Sequence, residues 1–368
     1  MSIKKQNTNK DIIILHDHFL YYWWWERLVS LLAKWLDADL ATWFFNPNSM
    51  PPENVWFKNK FIKLTSPTFA QWWRHLKMMW VFKTKTKFLK NYKTVIFSWN
   101  CFDAVDKAWN AEKIYYCHTP PRYLYDLYEH HLAQKSWIKK VLFKILVPIL
   151  RKNYEKHLKK FDKIVTNSLN IQKRLKDYCW YNSTVVYPPI DTKSFVPWES
   201  EDFYLSFARL TDIKRVHLVV EAFTKMPEKK LVLTYNPSDP YYTIIKKMAD
   251  KYENITMLKN VPVLEDLVKR AIATIYIPKD EDFWMSPVES MASWKPCIWV
   301  NDWWIKETII DWKTWILLPK EVTINYIIKW VQEMTPEKAK SMEKDCIERA
   351  KDFDLEKFLD GMRKVLEK

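Results

Sequence analysis

The sequence has almost no glycine, since Gly361 is the single copy in 368 residues. An average globular protein of this length contains about 26 glycines, at the usual ~7% of residues. Glycine-rich phosphate loops and left-handed turns are therefore excluded, unless another residue type occupies those positions. Tryptophan is present in a matching excess, with 22 copies.

The positions of the tryptophans favour an exchange with glycine. Trp35, Trp180 and Trp294 each follow a helical pattern, where a chain usually turns left-handed and glycine is preferred. We therefore predict that most tryptophans stand at glycine positions, because UGA codons that the source organism reads as glycine were translated as tryptophan. The alternative is a genuinely tryptophan-rich protein. Under the exchange hypothesis, Trp73, Trp137 and Trp330 are candidates for authentic tryptophans, because they lie inside helical patterns.

Long apolar runs and paired cysteines are also missing. The longest apolar stretch, Val141–Leu150, is short and contains Lys144, which excludes a membrane-spanning helix. No apolar segment follows Met1, so we expect no signal peptide. The five cysteines are odd in number and show no paired metal-ligand spacing. This usage favours reduced thiols, a cytoplasmic location and no metal site.

Basic residues are concentrated in the first half of the chain. Residues 1–190 hold 31 Lys and Arg against 14 Asp and Glu, whereas the remainder holds 28 against 30. Lys58–Lys93 lies in a basic, aromatic-rich stretch without acids, and Lys135–Lys163 is a second basic run. Such stretches suit an anionic membrane surface, here the inner face of the plasma membrane. RNA binding and a simple solvated lysine-rich surface are the alternatives, and we favour the membrane without nucleic acid.

Short apolar runs alternate with amphipathic helical segments along the whole chain, which predicts a parallel α/β architecture. The proline-containing stretch Pro188–Ser200 reads as a linker between two Rossmann-like domains. We predict domains at 1–193 and 194–349, with a C-terminal helix at 350–368 that joins the first domain. The predicted strands are Ile12–Leu15, Val95–Phe97, Ile114–Cys117, Ile164–Thr166, Val185–Tyr187, Tyr204–Phe207, Leu231–Leu233, Ala273–Ile277 and Cys297–Val300.

Two motifs of the first half follow predicted strands. Trp23, Trp24 and Trp25 precede a helical pattern, and with glycines they would form a loop that offers backbone N–H groups to a phosphate. A tight turn without a ligand is the alternative. His118 follows the strand Ile114–Cys117, at the edge where open α/β sheets bind ligands. A buried structural histidine is an equally weighted alternative.

The second half carries cations and carboxylates at corresponding positions. Arg209 and Lys214 follow the first strand of this half and are candidates for neutralising a diphosphate. Surface charge is the alternative. Glu281 and Glu289 flank a turn after the strand Ala273–Ile277. Glu289 also fits a capping box with Ser286 as the N-cap.

A third loop, with Trp303 and Trp304 before Glu307, repeats the strand–loop–helix pattern of an anion cradle. Together these motifs resemble the retaining glycosyltransferases of family 4, over nearly the whole chain and with most similarity to the mannosyltransferase-like branch that builds bacterial surface polysaccharides. The residues that carry the resemblance are Trp23–Arg27, His118–Arg122, Tyr187–Asp191, Arg209, Lys214, Glu281–Glu289 and Trp303–Glu307. Tryptophan at each expected glycine is the departure from the family pattern.

The resemblance implies a GT-B fold, two Rossmann-like parallel-sheet domains that face each other across a cleft. It implies transfer of a hexose, with mannose favoured, from a nucleotide-diphosphate sugar to a glycan or lipid-linked acceptor, without a cofactor or metal. His118 and Glu281 would then be catalytic. The donor-binding residues would be Arg209, Lys214, Glu289, Trp24, Trp25, Trp303, Trp304 and Glu307.

Two alternatives share features with this prediction. A GT-B sugar-nucleotide epimerase has the same fold, and it would turn over the donor without an acceptor. A basic membrane- or RNA-binding protein with an inactive site would have no need of Arg209, Lys214, Glu281 and Glu289 together.

Overall fold

The structure, a computed structural model, has two compact units, Met1–Tyr187 with Gly361–Lys368, and Pro188–Asp360. The sequence places the division at 193/194. The residues that the structure describes are 11–19, 24–46, 59–66, 74–259, 261, 263–279, 285–301, 307 and 314–367. Among the helices in these ranges, none combines the length and the apolar character needed to cross a bilayer.

The first unit contains a parallel sheet in which the described strands follow the order β3-β2-β1-β4-β5-β6-β7. Ile13, Ile14 and Leu15 of the first strand are fully buried, as expected for a parallel strand covered on both faces. The strands are β1 (Ile12–His16), β2 (Asp39–Thr42), β3 (Phe61–Lys63), β4 (Thr94–Ser98), β5 (Glu112–Cys117), β6 (Lys163–Thr166) and β7 (Thr184–Val185). The helices are α1 (Trp24–Trp35), α2 (Arg74–Lys85), α3 (Tyr128–Ala133), α4 (Trp137–Leu158) and α5 (Leu169–Cys179).

The second unit repeats the design, with its described strands in the order β10-β9-β8-β11-β12-β13, again all parallel. Both orders are those of a doubly wound Rossmann sheet, so the predicted fold class is confirmed. The strands are β8 (Tyr204–Ser206), β9 (Leu231–Tyr235), β10 (Ile255–Lys259), β11 (Thr274–Tyr276), β12 (Cys297–Val300) and β13 (Trp315–Leu318). The helices are α6 (Val216–Thr224), α7 (Tyr242–Ala249), α8 (Leu264–Arg270), α9 (Ser286–Ala292), α10 (Ile324–Glu333), α11 (Pro336–Ala350) and α12 (Leu355–Glu367).

Most predicted strands are present, with one shortened and several missed. The run Val185–Tyr187 contributes only its first residue to β7, because two prolines follow directly and proline cannot donate to a sheet. The strands β2, β3, β10 and β13 were not predicted. Asp39-Leu40-Ala41-Thr42 shows why, since β2 has no run of β-branched residues although all four residues are buried.

The single glycine lies in the last helix, α12, at a close approach to the first unit's sheet. A Cβ added to Gly361 would lie 2.9 Å from Cγ1 of Val186. Beyond it, the Lys163 ammonium donates to the carbonyl of Val365 at 2.7 Å. The end of this helix is therefore held against β6 and the residues that follow β7, all within the first unit.

Left-handed backbone is concentrated at tryptophan. The described non-glycine residues with positive φ are Asp37, Trp99, Trp180, Arg215 and Trp294, with φ of 70°, 61° and 64° at the three tryptophans. The left-handed backbone predicted after a helix is present at Trp180, which ends α5, and at Trp294, which follows α9. The same prediction is wrong for Trp35, because α1 continues through that residue and the left-handed turn is made at Asp37, a residue type that tolerates it. The exchange with glycine itself stays a prediction.

Candidate active site

Three adjacent strands of the first unit end in a cluster of polar side chains. The register pairs His16 of β1 with Ser98 of β4, and Ser98 with Tyr116 of β5, so His118 lies just beyond this row. His16, Asp17, Ser98 and His118 are each no more than 3% exposed. The cluster occupies the carboxyl ends of the strands, on both sides of the point where the strand order reverses, which is where open α/β sheets bind ligands.

A continuous chain of contacts runs through this cluster from Asp17 to His118. Nε2 of His16 faces the Asp17 carboxylate at 3.4 Å, which favours a proton on that nitrogen. Nδ1 of His16 then accepts from the Ser98 hydroxyl at 3.1 Å. Because that hydroxyl has one hydrogen, Ser98 accepts from Nε2–H of His118 at 2.8 Å. Nδ1 of His118 is left with its lone pair, and it has no hydrogen-bond partner among the described residues.

Burial keeps both imidazoles neutral. It lowers the pKa of His118 well below its ordinary value, with a further lowering by the charge of His16, and it lowers the pKa of His16 to about 4. For Asp17, burial acts to raise the pKa, but the charges and hydrogen bonds of His18 and His16 outweigh it and the pKa falls below its ordinary value. At neutral pH the cluster therefore presents an ionised Asp17 and a neutral His118 that can accept a hydrogen bond.

Two indole rings cover His118. The ring centroids of Trp25 and Trp99 lie 4.4 Å and 5.1 Å from that of His118, and 5.0 Å from each other. Trp99 holds a left-handed backbone to do so. Helix α1 begins at Trp24, so Trp24 and Trp25 form its first turn instead of the loop that the sequence predicts. The side chain of Trp24 lies outside the described residues, as does all of Trp23.

Arg209 of the second unit follows β8 and is positioned by Asp239. Nε of Arg209 lies 3.5 Å from Oδ1 of Asp239, whose side chain is buried while that of Arg209 is half exposed. The other carboxylate oxygen of Asp239 accepts from the backbone N–H groups of Leu210 and Asn236, both at 3.2 Å. Two backbone donors thus fix a carboxylate that in turn orients the guanidinium at the carboxyl edge of the sheet.

Lys214 lies on the same edge and is buried, with 5% of its surface exposed. Its ammonium donates to the hydroxyl of Tyr276 at 2.5 Å and lies 5.0 Å from the centre of that ring. Tyr276 ends β11, and the backbone N–H of Lys279 beyond it donates to the carbonyl of Ile213 at 2.7 Å. A buried ammonium is held at the strand-order reversal of this sheet, where it is costly unless a partner or an anionic ligand compensates it.

Glu289 is buried in the first turns of α9. The predicted capping box is wrong, because the N-cap is Met285, whose side chain makes no capping hydrogen bond, and Ser286 is already helical. Ser286 instead accepts through its carbonyl from the Ser290 hydroxyl at 3.0 Å. The capping role that the sequence offered for Glu289 is therefore removed, and its carboxylate stands near the start of a helix that follows β11.

The remaining predicted residues are only partly described. Glu281, Trp303 and Trp304 lie outside the described residues. Of the residues from 302 to 313, the structure describes Glu307, whose backbone carbonyl accepts a hydrogen bond from the guanidinium of Arg349. Within the described ranges, no group of three His, Cys, Asp or Glu side chains is arranged to hold a metal ion.

Sequence reasoning missed the residues that position the predicted ones. His16, Asp17 and Ser98 behind His118, and Asp239 and Tyr276 behind the two cations, were not singled out. One signal was available, since His16-Asp17-His18 directly follows the first predicted strand. Asp239 carries no such signal, because it lies 30 residues from Arg209 in a turn that only the fold brings back to β8.

Comparisons with known proteins agree with this geometry. Residues 190–353 match the family model described as "Glycosyl transferases group 1". No curated protein sequence is similar enough to count as a match. Arg209, Lys214 and Glu289 all fall within the matched segment, which spans most of the second unit.

Solved structures with the same fold align with nearly the whole chain. A glycosyltransferase from Rickettsia africae is 14% identical, with a TM-score of 0.71, and the alignment covers 98% of this chain and 97% of that chain. Sucrose-phosphate synthase from Thermosynechococcus elongatus is 16% identical, with a TM-score of 0.75, and the alignment covers 97% of this chain and 98% of that chain. HepE from Anabaena, solved with UDP and glucose, is 13% identical, with a TM-score of 0.71 and coverage of 97% of this chain and 99% of that chain. The fold is GT-B, and the match of residues 190–353 to the group 1 family model supports a glycosyltransferase.

Proposed function

We propose that the protein is a retaining glycosyltransferase of family 4, in the mannosyltransferase-like branch. It transfers a hexose, with mannose favoured, from a nucleotide-diphosphate sugar to a glycan or lipid-linked acceptor in cell-envelope polysaccharide synthesis. One observation carries the proposal: within the segment that matches the group 1 family model, Arg209, Lys214 and Glu289 lie at the carboxyl edge of one Rossmann sheet. The UDP bound in the HepE structure supports a nucleotide-sugar donor.

Arg209 and Lys214 hold the donor diphosphate in this proposal. As the bond between the sugar and the phosphate breaks, negative charge grows on the leaving phosphate oxygens. A guanidinium fixed by Asp239 and an ammonium fixed at Tyr276 need no reorganisation to stabilise that charge. The two cations take the role that a metal plays in other transferases, so we propose a reaction without metal or cofactor.

The carboxylates bind the sugar and ribose hydroxyls. Glu289 binds the ribose, and Glu281 binds the transferred sugar. We place the first turn of α1, at Trp24–Trp25, and the segment Trp303–Glu307 around the donor, where their backbone N–H groups bind anionic oxygens. The sugar is replaced at the face from which the diphosphate leaves, so we assign no protein nucleophile.

His118 supplies a neutral imidazole from the first unit. Its Nδ1 accepts a hydrogen bond from a sugar hydroxyl, and its orientation is fixed through Ser98 and His16. We further propose that glycine belongs at most tryptophan positions, Trp25 and Trp99 included. This is supported by the three left-handed tryptophans and by the two rings that cover His118.

The protein acts in the cytoplasm, at an anionic membrane surface that presents a lipid-linked acceptor. The basic excess of residues 1–190 supports this location.

The diphosphate contact is tested by removing one cation at a time. The parent protein is the full chain with glycine in place of Trp23, Trp24, Trp25, Trp303 and Trp304. In it, Arg209→Ala or Lys214→Ala should lower kcat/KM for nucleotide release by about 10²-fold or more, as loss of one preorganised charged donor does. Lys230→Ala is the matched control, because that cation precedes β9 at the opposite edge of the same sheet and pairs with Asp202. Activity within a few-fold of the control in both variants would remove these residues from the mechanism. Donor turnover without an acceptor would instead favour an epimerase.

A further inference from the structure

Helix α4 of the first unit exposes a continuous apolar face. Its 22 residues extend about 33 Å at 1.5 Å per residue. One side of the helix is buried in the core of the unit through Val147, Tyr154 and Leu158. The opposite side carries seven exposed large apolar residues, which are Trp137, Ile138, Val141, Leu142, Ile145, Leu146 and Ile149.

The spacing of these residues makes one surface. Trp137, Val141, Ile145 and Ile149 are four residues apart, and so are Ile138, Leu142 and Leu146, so they form two adjacent columns over three turns. They account for seven of the 19 large hydrophobic residues that are exposed in the described part of the chain. Scattered exposed apolar residues need no explanation, but a contiguous patch marks an interaction site. Six of the seven are aliphatic, so the surface persists even with glycine at Trp137.

The charges around this surface have a single sign. From Gln134 to Tyr154 the sequence holds six basic residues and no acid. Lys139 and Lys144 project from positions on either side of the two apolar columns. A second copy of this helix would bring lysines against lysines, so self-association is opposed by charge. A surface that offers both an apolar layer and negative charge fits all of these residues at once.

We propose that the outer face of α4 is a membrane-docking surface that lies flat on an anionic lipid bilayer, with its apolar columns in the acyl boundary and its lysines at the headgroups. This is the arrangement of an interfacial amphipathic helix. The inner face is packed in the protein core, and Asn153 donates to the buried Asp103 at 3.0 Å, so only one side can enter the lipid. The inference deepens the membrane contact of the proposed function, and replaces Lys58–Lys93 as its site.

Vesicle co-sedimentation of the full chain tests the surface. The probe is phosphatidylglycerol–phosphatidylcholine vesicles, compared with pure phosphatidylcholine at low and high salt. Ile145→Gln with Ile149→Gln should lower the partition coefficient on the anionic vesicles at least ten-fold, because both side chains leave the acyl boundary. Those residues are 57% and 60% exposed, and Ile244→Gln on α7, at 52% exposure, is the matched control that should bind like the parent chain.

Other outcomes overturn the proposal. Binding of the α4 double variant equal to that of the parent chain, or no binding of the parent chain to anionic vesicles, would show that lipid does not cover this face. Loss of binding in Leu76→Gln with Trp80→Gln, on the basic helix α2, with retention in the α4 variant would move the docking site to the Lys58–Lys93 region. A shift from dimer to monomer in the α4 variant would identify a second copy as the occupant. Failure of nucleotide release in solution would concern the proposed function alone, since vesicle binding is measured without donor.

Discussion

The identity of residue 180 gives the sharpest test of the glycine assignment. Trp180 ends α5 with φ of 61°, its N–H donates to the carbonyl of Lys176 at 3.0 Å, and its side chain is 88% exposed. Removing the indole therefore loses little packing, and the backbone conformation dominates the outcome. A left-handed conformation costs an L-residue with a Cβ about 1–2 kcal/mol relative to glycine.

We expect Trp180→Gly to be more stable than Trp180→Ala by about 1–2 kcal/mol, because alanine keeps the Cβ and hence the strain. In a unit of this size that difference corresponds to roughly 2–8 °C in Tm. The matched site is Trp80, a 57%-exposed residue inside helix α2. There the order should reverse, with Gly less stable than Ala by about 1 kcal/mol. Thermal and denaturant unfolding of the four full-length variants measure both differences. Equal stability of the glycine and alanine variants at position 180 would refute the reasoning.

The same argument extends to the candidate site. Left-handed tryptophans at 99, 180 and 294 together cost about 3–6 kcal/mol, a large part of a typical net stability of about 5–15 kcal/mol. Trp25 and Trp99 also fill the space at His118. The chain with tryptophan at these positions should be poorly soluble and inactive, whereas glycine at them should restore nucleotide release. Equal activity of the two proteins would show that the composition has been misinterpreted.

Three further predictions concern the residues that the structure adds to the site. Asp239→Asn should lower kcat/KM for nucleotide release about ten-fold with little change in Tm, because Arg209 loses a charged partner; an unchanged rate would leave Asp239 a purely structural residue. Ser98→Ala should lower kcat about 10- to 100-fold, on the scale known for removing the hydrogen-bond partner of a metal-bound histidine, and a changed His118 imidazole signal in NMR separates this from a packing defect. The contribution of His16 to stability should fall by about 3 kcal/mol as pH drops from 6.5 to 4, because burial lowers the pKa of His16 to about 4 and the unfolded chain takes up a proton that the folded chain does not. His16→Asn should make the slope shallower in pH-dependent unfolding, and His118, whose pKa burial also lowers, keeps part of it; an unchanged slope would assign it to other groups.

The fold could be predicted because its signal is local and repeated. Runs such as Ile12–Leu15 and Ile114–Cys117 are buried strands whose composition alone indicates a covered parallel sheet. Strands such as β2 and β3 could not be predicted in this way, since Asp39–Thr42 and Phe61–Lys63 are short and lack an apolar run. Their place is decided by strand pairing, of β2 with β1 and of β3 with β2, which is a tertiary effect.

A position directly after a strand indicates single candidate residues, as it does for His118. His16, Asp17 and Ser98 also directly follow predicted strands, but that position does not show which side chains meet. Ser98 lies 20 residues from His118 and 82 residues from His16, the two partners of its hydroxyl. Only the register of three parallel strands brings Asp17, His16, Ser98 and His118 into one row. A sequence motif can thus name the imidazole, but which of its nitrogens carries the proton is decided by Asp17 at the opposite end of that row.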